Sequence, residues 1–209
     1  MIVNPDIEQY LSQLGALPHA ILGDMEAEGL ERNFPIVGPL VGRLLVSLIK
    51  FGHVHTVLEC GSGFGYSAMW MAIALSENGK ITCIEYDPVN IERAKSYFEK
   101  AGLAHKITFI QGNAMEIVPT LSDTYDLIMN DVDKPQYPQL LPLLLDRLRV
   151  GGMLIADNVL WKGKVTQPAV DGETRAIQEF NENLVWEKNL WSTFLPLRDG
   201  LSLSIKLRK

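Results

Sequence analysis

The chain of 209 residues has only two cysteines, Cys60 and Cys83, both at strand-like positions. A disulfide framework is therefore excluded as the basis of the fold, and buried reduced thiols are expected. No uninterrupted apolar run approaches the roughly 18 residues needed to span a bilayer. Met1 to Gly15 lacks the basic stretch and apolar segment of a secretion signal and carries Asp6, Glu8 and Gln9 instead, so a cytoplasmic protein is expected. Cations are in the minority: 19 Lys and Arg stand against 25 Asp and Glu, for a net charge of −6. That balance disfavours strong nonspecific nucleic-acid binding, which needs clustered Lys and Arg. The four histidines, His19, His53, His55 and His105, show no ligand spacing with each other or with the cysteines, and they read as structural or surface groups. No internal repeat, low-complexity tract or linker is present. One domain is expected over 1–209, with a helical cap at 1–52 and a core at 53–209.

What the chain does have is a regular alternation of apolar strand-like and helical runs from His55 onward. Strands are expected at Thr56–Cys60, Lys80–Tyr86, Lys106–Gln111, Tyr125–Met129 and Gly152–Ile155. Helices are expected at Tyr66–Ser76, Pro88–Ala101, Ala114–Leu121, Pro135–Val150 and Glu173–Glu187. Trp191–Pro196 and Leu201–Leu207 read as strands joined by Leu197-Arg198-Asp199-Gly200, where Asp-Gly is a hairpin signal. Such alternation gives a doubly wound, parallel α/β sheet, with one antiparallel strand added by the hairpin. Before it, Asp6–Leu14 and Leu40–Phe51 read as helices, and Gly23–Asn33 fits either a short helix or a mobile lid.

Two short stretches carry most of the chemical information. Asn130-Asp131-Val132-Asp133-Lys134 and Ala156-Asp157-Asn158 each follow an apolar strand, and one helix-length segment separates them. This β-α-β arrangement makes the strands parallel and brings both carboxyl ends to the edge where open α/β sheets bind ligands. Asp131, Asp157 and the Asn158 amide then meet at one crevice, with Lys134 three residues past the first Asp. An oxygen-only ligand set suits a hard cation such as Mg2+, Ca2+ or Mn2+. Taken alone, Asp157-Asn158 also reads as a turn or capping pair and Lys134 as a solvated lysine.

Glu59-Cys60-Gly61-Ser62-Gly63-Phe64-Gly65-Tyr66-Ser67 joins the first strand of the alternating series to its helix. The glycines permit a tight turn and close approach of a ligand. Their G-x-G-x-G spacing departs from the G-x-G-x-x-G of nicotinamide-binding folds, and an acid precedes the first glycine. A carboxylate there opposes a pyrophosphate but tolerates a cationic ligand. Glu85, at the end of the next strand, is placed to accept hydrogen bonds from ribose hydroxyls. Together these features favour S-adenosylmethionine, a nucleoside without phosphates that carries a sulfonium charge. Tyr66, Trp70 and Met71 sit at helical spacing and read as core. Trp161, just past Asn158, reads equally as core or as a flank of the acceptor.

The chain resembles the cation-dependent O-methyltransferases, the family of catechol and caffeoyl-CoA O-methyltransferases. The resemblance runs from about Thr56 to Leu207. It rests on Val57-Leu58-Glu59-Cys60-Gly61 through Gly65-Tyr66-Ser67, on 130–134, on Val150-Gly151-Gly152 through Asp157-Asn158 to Gly163, and on Phe194-Leu195-Pro196-Leu197-Arg198-Asp199-Gly200. It implies a Rossmann-like seven-stranded sheet with a reversed last strand, and a homodimer. It implies cofactor contacts at Glu59, Gly61, Gly63 and Ser67, a ribose-binding acid at Glu85, a segment beside the adenine at Gly112 and Ala114, and Asp131 close to the methionine amine. Asp131, Asp157 and Asn158 match its metal ligands, and Lys134 its proposed general base. Asn130 departs from the aliphatic residue often found there.

The expected activity is methyl transfer to a hydroxyl of a small catechol-like or other vicinal-hydroxyl acceptor. Three further readings stand beside it: methylation of a hydroxylated tRNA base, a non-catalytic S-adenosylmethionine-binding module, and an NAD-dependent oxidoreductase. The last lacks both the glycine spacing and a hydride-transfer constellation.

Overall fold

The computed structural model describes residues 3–208. Three helices come first: α1 (Pro5–Gln13), α2 (Ile21–Glu31) and α3 (Gly38–Phe51). Strands and helices then alternate as β1 (Thr56–Cys60), α4 (Tyr66–Ala74), β2 (Lys80–Glu85), α5 (Pro88–Lys100), β3 (Ile107–Gln111), α6 (Ala114–Ile117), β4 (Tyr125–Asn130), α7 (Tyr137–Arg147), β5 (Leu148–Asp157) and α8 (Gly172–Trp186). A hairpin of β6 (Leu190–Leu195) and β7 (Leu201–Lys206) follows. The seven strands form one sheet in the order β3-β2-β1-β4-β5-β7-β6. The β1 to β5 pairs are parallel, and β7 runs antiparallel to both β5 and β6. The expected β-α-β unit and reversed last strand are both present.

Strand alternation splits the core between the two faces of the sheet. Val57, Leu127, Met129 and Ile155 pack with α2, α3 and α4 on one face. Leu58, Ile128, Leu154 and Ala156 pack with α7 and α8 on the other. The first face is closed where Gly42 of α3 meets Trp70 of α4. A Cβ on Gly42 would lie 2.3 Å from the indole ring, so only glycine lets these helices approach so closely.

The segment that fitted either a helix or a lid is helix α2. Leu22, Met25 and Gly29 bury one face of it. Its polar face is tied down as well: Tyr66 donates to Glu26 Oε1 at 2.6 Å, and Tyr97 to Glu28 Oε2 at 2.6 Å.

Three boundaries move for local reasons. The helix expected over 114–121 becomes 3-10 at Val118–Thr120, because Pro119 has no N–H to continue an α-turn. Helix α4 stops at Ala74, where the buried Lys106 Nζ caps the carbonyls of Ala72 and Leu75 at 3.2 and 3.0 Å. The helix expected over 135–150 is shortened at both ends. Lys134–Gln136 form a 3-10 turn, and Leu148 turns extended to pair with Tyr125. A register shift then follows, with Gly151 at φ 76, before Met153 pairs with Leu127. No helix among the described residues is long and apolar enough to cross a membrane.

Candidate active site

The carboxyl ends of the parallel strands border a cavity of about 810 Å3. The glycine loop forms its floor. Gly61 adopts φ 83, and a Cβ there would lie 2.3 Å from the Asp131 carbonyl oxygen, so the loop rests directly on the end of β4. Two backbone bonds fix it: Gly61 N–H donates to the Ile84 carbonyl and Asp131 N–H to the Cys60 carbonyl, both at 2.9 Å. Glu85, only 4% exposed, accepts the Gly63 N–H at 2.7 Å and the Asp87 N–H at 3.0 Å, one on each carboxylate oxygen. Each oxygen keeps a further lone pair free.

Glu59 lies beneath this floor. It is fully buried on the α4 face between Cys83 and Met129, its register partners. The Ser67 hydroxyl and the Cys83 thiol (3.4 Å) donate to it. Burial pushes its carboxyl up to about 7, against the opposing effect of these two hydrogen bonds.

Beyond the loop stands a buried polar group at the ends of β4 and β5. Lys134 Nζ donates to Asp131 Oδ1 at 2.8 Å, to the Val132 carbonyl at 3.2 Å and to the Tyr137 hydroxyl at 3.1 Å. These use all three ammonium donors. Tyr137 in turn reaches the carbonyls of Asp157 (2.9 Å) and Asn130 (3.2 Å). Asp157 is 2% exposed. It accepts its neighbour's Asn158 N–H at 2.8 Å, and Arg198 stands 3.9 Å from its other oxygen. Burial first, and then repulsion from Asp131, push the Asp157 carboxyl up to about 7. Burial also raises Asp131, while the Lys134 and Arg198 charges pull it back.

This donor set fits a divalent cation. The buried Asp157 carboxylate and the partly exposed Asp131 carboxylate repel each other, which is costly unless a positive charge joins them. No group of three His, Cys, Asp or Glu side chains converges among the described residues. The oxygen donors at this edge are thus two carboxylates and the Asn158 amide, whose residue sits at φ 59 on the cavity wall.

Of the residues expected to bind the cofactor, Gly61, Gly63, Ser67, Glu85, Gly112, Ala114 and Asp131 line the cavity. Glu59 does not; it supports Ser67 from below. Asp131, Lys134, Asp157 and Asn158 line it together. Trp161, left between core and acceptor flank, is at the wall as well, and so is Tyr66. Sequence reasoning gave no role to Phe34–Val37, which form the wall from the cap, nor to Tyr137 or Arg198. Arg198 was visible only within a turn signal and a stretch carrying the family resemblance. Its arrival at the edge beside Asp157 depends on β7 pairing with β5. Asn130, the departure noted above, has a fully buried side-chain amide with no hydrogen-bond partner among the described residues.

Comparison with known proteins agrees with this geometry. Residues 19–207 match a family profile described as O-methyltransferase. The chain is 34% identical to a catechol O-methyltransferase of Niastella koreensis, covering 81% of each chain. It is 35% identical to caffeoyl-CoA O-methyltransferase 2 of Eucalyptus globulus, covering 78% of this chain and 71% of that one. Among solved structures, the O-methyltransferase TomG from Streptomyces achromogenes, in complex with SAM, superposes with a TM-score of 0.89 at 27% identity, covering 97% of this chain and 96% of that one. An O-methyltransferase from Bacillus cereus in complex with SAH gives 0.88 at 25% identity, covering 96% and 97%.

Proposed function

The chain belongs to the S-adenosylmethionine-dependent O-methyltransferase family, of the catechol and caffeoyl-CoA type, and on that premise we propose a metal-dependent enzyme acting on a vicinal-hydroxyl acceptor. One observation supports the metal dependence: the buried Asp157 carboxylate, raised in part by repulsion from Asp131, stands beside Asn158 at the edge of the cofactor cavity. Asp131, Asp157 and Asn158 are the residues that would hold a divalent cation, Mg2+, Ca2+ or Mn2+. Such a cation lowers the pKa of an acceptor hydroxyl and fixes its orientation.

The remaining roles are those the family resemblance implies, and the presence of Gly61, Gly63, Ser67, Glu85, Gly112 and Ala114 around one cavity supports them. Glu85 binds the ribose hydroxyls while it holds Gly63 in place. Gly61 and Gly63 let the cofactor approach the backbone. Ser67, fixed by Glu59, faces the methionine end with Asp131, and Gly112 and Ala114 flank the adenine. Transfer is an in-line substitution: the acceptor oxygen bonds to the methyl carbon as its bond to sulfur breaks, and S-adenosylhomocysteine leaves. Lys134, whose Nζ is held at this edge by Asp131 and Tyr137, is assigned to take the hydroxyl proton. The core at 53–209 carries this machinery, and the cap at 1–52 supplies a wall through Phe34–Val37. The enzyme acts in the cytoplasm as a homodimer. An exposed apolar strip on the sheet's edge strand and its neighbour, Trp191 beside Ile205, supports the dimer.

The test is calorimetric titration with S-adenosylhomocysteine, followed by methyl transfer to a catechol panel with Mg2+ and then with EDTA. Binding with EDTA-sensitive turnover is expected. Metal-independent turnover would overturn the metal assignment, and no binding to folded protein would overturn the cofactor assignment.

A further inference from the structure

Building on the methyl-transfer reading of this cavity, we propose that Arg198 selects acceptors that carry a carboxylate, and that its guanidinium binds that group beside the hydroxyl-binding edge. Arg198 is the only arginine that lines the cavity among the described residues. Its side chain is 27% exposed, and its one ion-pair contact, with Asp157 at 3.9 Å, is too long for a hydrogen bond. It makes no side-chain hydrogen bond to any described residue.

A guanidinium has five donors in a planar fork that matches the two oxygens of a carboxylate. Arg32 shows what a structural arginine does in this fold. It donates to Glu28 at 3.1 Å and to Asn90 at 3.2 Å, and it stacks on Phe34 and Phe64. Arg198 has none of these attachments. Of the other cavity cations, Lys134 is committed to its three acceptors, and Lys162 is an exposed lysine at the rim, 5.8 Å from the Trp161 ring centroid and without a planar fork.

The backbone holds Arg198 at this place. Of the six non-glycine residues with positive φ among those described, four are at this rim: Asn158, Trp161, Lys162 and Arg198. Such a cluster persists only where its surroundings enforce it. Here the loop after β5 and the β6–β7 turn are clamped together. Val159 N–H donates to the Gly200 carbonyl at 3.1 Å and Leu160 N–H to the Asp199 carbonyl at 2.9 Å. Lys162 N–H donates to the Asp199 carboxylate. The Arg198 stem lies along the start of α3, with Cδ and Nε 3.6 Å from the position of a Cβ on Gly38.

Local charge favours a carboxylate over a phosphate ester. Asp131, Asp133, Asp157 and Asp199 also line this end of the cavity, and a doubly charged group would be repelled by all of them. A singly charged anion is matched by the one free guanidinium. Because the guanidinium already stands within 4 Å of Asp157, the carboxylate belongs on the same small molecule as the hydroxyls.

The test compares protocatechuate, a catechol with a ring carboxylate, with its methyl ester, which keeps the ring and removes the charge. The kcat/KM ratio of acid to ester is measured for the unaltered enzyme and for Arg198→Met and Arg198→Lys, and protocatechuate binding to the S-adenosylhomocysteine complex by calorimetry. We expect the ratio to fall about tenfold or more in Arg198→Met, mostly through KM, and to be partly kept in Arg198→Lys; tenfold is the scale of one hydrogen bond to a charged group. Methylation of both acceptors with an unchanged ratio would overturn the carboxylate site and leave the methyltransferase reading intact. Arg198-dependent binding without methylation of either acceptor would uphold the site and overturn the acceptor chemistry. Neither binding nor turnover by folded, unaltered protein would overturn both.

Discussion

The Tyr137 hydroxyl lies 2.9 Å from the backbone carbonyl of Asp157, so the first residue of α7 is fastened to the last residue of β5. The same hydroxyl accepts from Lys134, which holds Asp131. One phenol thus joins the two strand ends that carry the carboxylates.

Tyr137→Phe removes that join while keeping the ring against Phe180. Buried carbonyls and one ammonium donor lose their partner, a loss of about 1–3 kcal/mol. The expected result is a lower urea midpoint at unchanged m-value, together with weaker metal stimulation of turnover. Unchanged stability and unchanged metal titration would show that the hydroxyl is dispensable.

Asp157→Ala is expected to abolish metal-stimulated methyl transfer and to leave S-adenosylhomocysteine affinity within about threefold. Calorimetry and EDTA-controlled assays on the same preparation separate the two effects. Unchanged turnover would remove Asp157 from the metal site.

Glu85→Ala acts on cofactor binding in two ways, by removing the acid assigned to the ribose and by releasing the Gly63 N–H that it now accepts. Hydrogen bonds to a charged group contribute about 1.5–3 kcal/mol each, so affinity for S-adenosylhomocysteine should fall at least tenfold. Equal affinity by calorimetry would refute the ribose assignment.

Glu59→Gln probes the buried carboxyl beneath the floor. Its folded-state pKa is raised from 4.5 to about 7 by burial. The folded protein therefore holds this proton more tightly than the unfolded chain does. The stability it contributes is fully present below about pH 4.5 and is lost as pH rises through about 7, by an amount on the order of 3 kcal/mol. Asp157, also raised to about 7, gives a slope of the same sign. Glutamine has no proton to lose in this range, so the fall in urea midpoint from about pH 5 to about pH 8 should be smaller in Glu59→Gln than in the unaltered protein. An identical fall in both would contradict a raised Glu59 pKa.

Most of the strand-and-helix order was legible because period-2 and period-3.6 patterns alternate so regularly after His55. The β-α-β logic then put Asp131, Asp157 and Asn158 at one edge, and the structure brings them there. What escaped sequence reading depends on partners distant in the chain. Helix α2 has two glycines and weak periodicity, and its polar face is held by Tyr66 and Tyr97, 40 and 69 residues away. Lys106 ends a helix from 31 residues away. Glu59 adjoins the glycine loop in sequence, yet strand alternation turns its side chain down toward Cys83 instead of up toward the cavity.

The reversed strand β7 has a consequence for how such a chain can diversify. Each parallel strand delivers one loop to the ligand edge and then requires a helix to return. β7 is inserted head-down between β5 and β6, so a five-residue connection, 196–200, reaches the same edge with no helix attached. Lengthening or recoding that turn remodels the wall facing the acceptor, while the nucleoside half of the cavity, built on β1 and β2, keeps its framework. On the proposed assignment, acceptor choice and cofactor choice would rest on separate pieces of chain, and one could drift while the other stands still.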